Sequence, residues 1–241
     1  RPHRMPSEQI EAEEEFLNKL YDDYRYQIPK FQRPFSWTEE NFADLIDDLT
    51  DAYDVGRDSH GTLLNGEGEL DESTRDAYEP YFLGSIILNS GDESGDRHDI
   101  IDGQQRLTSL AILIAVLRDL VEDEARADSL GKRIYQEDDP VMGKSETVRI
   151  QIRERDHDFF EKHVLTKGAT EDAPTPETGD TEPEQNILQA IHTFRKELLN
   201  WQDEEDGDLD DFAIYLTLRV VMVRISTNSL SSAFRLFNVT N

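Results

Sequence analysis

The densest run of chemically capable side chains is Asp102-Gly103-Gln104-Gln105-Arg106. It separates a short apolar strand beginning at Asp99 from a long apolar helix reaching Leu120. Gly103 has no Cβ, so the backbone can bend sharply there or admit a ligand closely. A helix starting just after it presents unpaired N–H groups and a partial positive charge, which suit phosphate oxygens. Arg106, in the first turn, can add a forked donor to the same anion. Asp102 can hold a metal ion, bind a ribose hydroxyl or orient Arg106. It can also simply cap the helix, leaving the glutamines and the arginine as a solvated first turn. Against that plainer reading stands the cost of an uncompensated polar box at a buried junction.

A second polar pair, Gln32 and Arg33, lies between Phe31 and Phe35 in Y-R-Y-Q-I-P-K-F-Q-R-P-F-S-W, residues 24–37. The stretch first alternates like a strand, and Pro29 and Pro34 then impose an extended path. Phe35 and Trp37 are expected to plug the core, whereas Gln32 and Arg33 have no evident core duty. Both polar pairs fall in stretches devoid of Asp and Glu, 24–37 and 103–118; a third such stretch is 212–241, with Arg219, Arg224 and Arg235. Apolar strands explain the missing carboxylates, and an anion site explains the remaining arginines.

The elements that must position these residues follow from periodicity. Ser7 is placed to cap a helix reaching Leu20, with Ile10, Phe16 and Leu17 apolar. Thr38 is placed to cap another that carries Phe42, Leu45, Ile46 and Leu49, its acids Asp47 and Asp48 on the solvated face. Residues 54–77 and 166–183 read as flexible acidic loops, and 122–144 as mostly irregular. Tyr81 to Leu88 is a strand, and Thr147 to Arg153 alternates as another with Arg149, Gln151 and Arg153 on one face. Asp156 is placed to cap a short helix. Helices are expected through Ile187–Trp201 and Phe212–Leu218, a buried strand over Val220–Ile225, and a last helix from Ser231 or Ser232.

Composition sets limits. The 241 residues suffice for one large domain. They include no cysteine, which removes disulfides and thiolate metal sites. No apolar run is long enough to span a membrane, and no signal peptide is visible, so a cytoplasmic protein is expected. The formal charge of −28 argues against a generally basic nucleic-acid surface. Because the acids are spread among ordinary amphipathic helices, the pattern fits a halophile, in whose salt long-range repulsion is screened. The histidines His3, His60, His98, His157, His163 and His192 lack zinc-site spacing, and no Walker A loop, nucleophile elbow or dinucleotide fingerprint occurs. Amide, arginine, carboxylate and helix start are left, a phosphate-handling set.

In this arrangement the chain resembles the N-terminal domain of GmrSD-type, type IV restriction endonucleases, a ParB/sulfiredoxin-like family. The resemblance rests on I-P-x-F-Q-R-x-F-x-W (Ile28 to Trp37), D-D-L (Asp47 to Leu49) and Y-F-L-G-S-I (Tyr81 to Ile86). It extends through I-D-G-Q-Q-R-L-T (Ile101 to Thr108) and F-x-x-F-x-x-x-N (Phe234, Phe237, Asn241), in order along nearly the whole chain. It implies an α/β (α+β) fold, a small mixed sheet with surrounding helices, in one domain over residues 1–241. Further implied are a fragment lacking a following HNH nuclease domain and a role in restriction of modified or foreign DNA and in phage defence. Carried onto this sequence, the family pattern makes Asp102, Gln104, Gln105 and Arg106 catalytic for NTP hydrolysis with Mg²⁺, Asp102 being the metal ligand. Gly103, Gln32, Arg33 and Asn241 would bind the nucleotide. DNA would be met through the full-length protein, and a homo-oligomer is left open. Two rivals are a non-enzymatic module sensing modified DNA and, ranked last for want of a carboxylate–histidine cluster, a nuclease.

Overall fold

The computed structural model describes residues 9–90, 97–143 and 147–240. The chain order begins β1 (Ile10–Phe16), α1 (Leu17–Asp22), β2 (Arg25–Gln27), α2 (Glu39–His60), α3 (Glu72–Ala77), β3 (Tyr81–Asn89) and β4 (Arg97–Asp102). It continues with α4 (Gln104–Leu120), α5 (Glu124–Ile134), β5 (Tyr135–Gln136), β6 (Thr147–Val148), β7 (Ile150–Gln151) and α6 (Glu154–Phe160). The last elements are α7 (Glu182–Glu204), α8 (Leu209–Arg219), β8 (Val220–Thr227) and α9 (Leu230–Thr240). Among the described residues, six strands form one mixed sheet in the order β1-β8-β3-β4-β2-β7, and β5 pairs with β6 alone. The fold is therefore mixed α/β, as the sequence implied.

Period-two alternation divides the sheet's two faces. Ile86, Leu88 and Ile100 point into the main core with α4, α2, α7 and α8, while Ile87 and Ile101 meet Ala233, Leu236 and Phe237 of α9 on the other face. Helix α4 is apolar all round and is buried from Leu107 to Leu117, the expected fate of such a helix. It is the central post of the domain. Strands β4, β2 and β7 run parallel. Their carboxyl ends therefore lie on one edge, where the segments after Gln27, Asp102 and Gln151 emerge. Crevices at such an edge are where open α/β sheets place their ligands.

Several local expectations are corrected by long-range pairing. Residues 10–16 are not helical but form the edge strand β1, antiparallel to β8. The strand period sets Glu11, Glu13 and Glu15 on one face, where they reach Arg224 at 3.4, 3.4 and 3.3 Å. Only α1 is helical there, and Ser7 lies outside the described residues. The segment 54–77 is no flexible loop: α2 runs on to His60, and α3 follows. Between them the fully buried Asp211 accepts from the backbone N–H of Leu63 (3.1 Å) and Leu64 (2.8 Å) and from the Tyr53 hydroxyl.

The segment 166–183 is likewise held. Asp119 accepts from Gly168 N–H at 2.8 Å and from the Thr170 hydroxyl at 2.6 Å, and a 3-10 turn spans Pro176–Thr178. Within 122–144, α5 and β5 replace the irregular chain expected. The strand expected over 147–153 is broken at Arg149 into β6 and β7, because the two halves pair with different partners, β5 and β2. Thr38 does cap α2, its N–H bonded to the Asn41 side chain at 2.9 Å. Among the described residues, no helix is long and apolar enough to cross a membrane.

Candidate functional site

The bend between β4 and α4 needs glycine for two reasons. Gly103 has φ +100°, a left-handed conformation that side chains resist. A Cβ there would also stand 2.7 Å from Cγ2 of Ile86. The bareness of Gly103 thus seats the turn on β3: of the two roles the sequence left open, the sharp bend is the one seen, and on that face the close approach is made by Ile86.

Gln32 and Gln104 are joined across the bend. Gln104 donates to Gln32 Oε1 at 3.0 Å, and Gln32 donates to the Ile101 carbonyl at 2.9 Å. This ties the Phe31–Phe35 loop to the end of β4. Gln105 is committed at both ends of its amide: it accepts from Ser36 N–H (2.9 Å) and Trp37 N–H (3.2 Å) and donates to the Pro34 carbonyl (3.1 Å). Gln105, expected to be catalytic, has its amide oxygen and nitrogen both bonded to backbone, which holds the Pro34–Trp37 segment against α4. Phe35 and Trp37 pack on Phe42, as the plug reading expected.

Arg33 and Arg106 differ from the other arginines of the acid-free stretches. Arg118 is bound to Asp119 and three carbonyls, Arg219 to the Tyr78 carbonyl, Arg224 to three glutamates, Arg25 to Gln136 and Arg235 to Ser232. Among the described residues, neither Arg33 nor Arg106 makes a hydrogen bond or ion pair, and neither does the Asp102 carboxylate. All three sit around the start of α4.

The two arginines approach that start from different sides. Residues 104 and 106 lie about 200° apart around a helix. Arg33 stands with Gln104, Gln105 and Thr108. Arg106 lies along β3, where a Cβ on Gly84 would fall 2.6 Å from its guanidinium nitrogen. Gly84 has φ +119° and sits where the β3–β8 register shifts. It is the residue that makes room for Arg106, and the sequence reading passed over it. A lone glycine inside a strand pattern is a usable signal of close approach. Tyr81 shares this side: burial and Asp48 push its phenol pKa up, against the opposing pull of Arg106. Asp48, read as solvated, is indeed exposed, yet it belongs to this neighbourhood.

Behind Gln104 a narrow slot runs between the first two turns of α4, the Pro34–Phe35 segment and α6. Thr108 and Asp156 line it, neither of which the sequence offered as a site residue. Beside it, a second groove carries Lys30, Arg153 and Arg155 against Glu154. Among the described residues, the only grouping of three ligand-type side chains is the largely exposed His157, Asp158 and Glu161, which does not include Asp102. Asn241 lies outside the described residues.

Residues 15–241 match the family model described as GmrSD restriction endonuclease, N-terminal domain. The comparison with curated proteins gives no match.

Proposed function

We propose, from the premise that this chain belongs to the GmrSD restriction endonuclease N-terminal domain family, that the edge around Gly103 binds and hydrolyses a nucleoside triphosphate. The single observation that carries the reading is the pair of unpartnered arginines. In a chain of charge −28, Arg33 and Arg106 are left without a carboxylate partner beside the start of α4. Cations without partners at a helix N-terminus are what a polyphosphate requires. Arg106 would neutralise phosphate charge from the β3 side and Arg33 from the slot side. Gln32 and Gln104 would hold the Arg33 loop in register with the bend, and Gln105 would fix its far end.

Asp102 fits a magnesium site in donor type. Mg²⁺ is commonly held by one or two carboxylates plus substrate phosphates, and a single uncommitted carboxylate at the strand end suits that pattern. The ion would supply positive charge to the phosphates being transferred. Asp102 itself is the group available to orient a water. In the full-length protein this turnover would control restriction of modified or foreign DNA, and the Lys30–Arg153–Arg155 groove is the surface of this domain best suited to a phosphate backbone.

The test is NTP turnover by the full-length protein and by Arg106→Ala. Loss of a charge-assisted contact is expected to reduce affinity or turnover about ten- to hundredfold. Equal turnover in both removes Arg106 from the mechanism. Modified-DNA binding that needs no nucleotide and survives Asp102→Ala would instead favour the sensing role.

A further inference from the structure

The segment after β2 divides its aromatic rings between two fates. Phe35 and Trp37 pack on Phe42, whereas Phe31 turns outward and is 57% exposed. Its ring meets that of Phe234 on α9, itself 40% exposed, with 5.7 Å between centroids. Two large rings left open to solvent side by side forgo much of the burial that normally rewards an aromatic side chain. Both are held at the edge that carries the Gly103 bend. Gln32, next to Phe31, donates to the Ile101 carbonyl in β4, and Ala233, next to Phe234, packs with Ile87 and Ile101.

Immediately before Phe31, Lys30 lines the groove at the carboxyl ends of β2 and β7. The groove's volume of about 480 Å³ is in the range of sites that hold a small organic unit. Arg153 and Arg155 share it, and among the described residues none of the three basic side chains makes a hydrogen bond or ion pair. Glu154 is the one carboxylate among the described residues that line it. In a chain of charge −28, three cations gathered without partners call for a polyanion. Cations along a groove beside exposed aromatic faces are what proteins present to single-stranded nucleic acid. An intact duplex stacks its bases on one another and offers their edges, which hydrogen-bonding side chains read and phenyl rings do not. Resting on the reading that this groove meets the DNA backbone, we propose that the edge holds an unpaired stretch of the strand. Its phosphates lie along Lys30, Arg153 and Arg155, and a base leaves its stack to lie on the Phe31–Phe234 pair.

The experiment measures binding of a labelled single strand of about 16 nucleotides, and of the same sequence as a duplex, to the full-length protein by fluorescence anisotropy over a salt series. Wild type is expected to prefer the single strand. Phe31→Leu and Phe234→Leu, which keep apolar bulk but remove the ring, should each weaken single-strand binding about tenfold while duplex binding stays within about twofold. Phe31→Trp should retain it. Arg153→Ala and Arg155→Ala should each flatten the logarithmic salt dependence by about 0.7. Single strand and duplex bound alike, with both leucine variants unchanged, overturn the inference; a salt dependence still flattened by the arginine variants then leaves the groove as a backbone contact. An unflattened salt dependence in both arginine variants overturns the DNA reading of the groove, and the inference with it. Leucine variants that bind the single strand like wild type but lose an oligomer, by light scattering, assign the aromatic pair to a protein contact and overturn the inference too.

Discussion

The two ends of α4 carry the same kinds of side chain and treat them oppositely. At the carboxyl end, Arg118 and Asp119 are almost completely buried and fully bonded. Arg118 donates to Asp119 and to the carbonyls of Val164, Leu165 and Thr166; Asp119 also accepts from Gly168 and Thr170. Burial alone would raise the Asp119 pKa, but Arg118, Thr170 and Gly168 together hold it below the usual carboxylate range. At the amino end, Asp102 and Arg106 are partly exposed and lie one turn apart without bonding to each other or to any described residue. The closed cluster clasps the 166–170 segment onto the helix. The open one, partly exposed, leaves its hydrogen-bonding groups to water or to a ligand. Burial and satisfaction run together here: the buried end is fully bonded, and the partly exposed end is left unbonded by protein.

The sharpest way to break this comparison is Asp119→Ala. Removing one partner of a buried ion pair strands the other, so a loss of about 3–5 kcal/mol is expected, read as a lowered urea midpoint. A midpoint within about 0.5 kcal/mol of wild type would mean the cluster is not the clasp described here. Arg106→Ala should do the reverse at the opposite end. It should leave stability within about 0.5 kcal/mol while reducing nucleotide turnover, because no protein bond is lost.

Gly84→Ala refines that contrast. A side chain at φ +119° is strained by about 1–2 kcal/mol and must displace the Arg106 guanidinium. Modest destabilisation together with an Arg106→Ala-like loss of turnover is expected. Wild-type turnover in Gly84→Ala would show that the position of Arg106 along β3 is immaterial.

The smallest effect concerns pH. Since the folded-state pKa of Asp156 is raised, ionising it costs stability above that value. Asp156→Asn should therefore raise the thermal midpoint at neutral pH. The gain should shrink as pH falls through the raised value and vanish below the ordinary carboxylate range, where the native residue is protonated in both states. A gain that grows on acidification would contradict the assignment.

Much of the scaffold was readable locally. The strand at Tyr81–Asn89, the glycine bend, α4 and the Thr38 cap each follow from a few neighbouring residues, whose periodicity and backbone preferences need no distant partner. The edge strand β1 was not readable this way. Its glutamates look like a solvated helix until β8 supplies both a hydrogen-bond ladder and Arg224. Segments 54–77 and 166–183 look like loops because their anchors, Asp211 and Asp119, lie far off in sequence.

The same division runs through the candidate site. Residue types and spacing alone singled out the polar box around Gly103 as a candidate anion site, and the family match spans the residues that carry it. Only the folded chain decided which arginines remain free, that Gln105 is consumed by backbone, that Gly84 makes way for Arg106, and that Thr108 and Asp156 share a slot. Hydrogen-bond satisfaction is a property of which groups meet in space. A linear pattern can propose the groups, but the packing of β3, α6 and the Phe35 segment around α4 determines which are already answered.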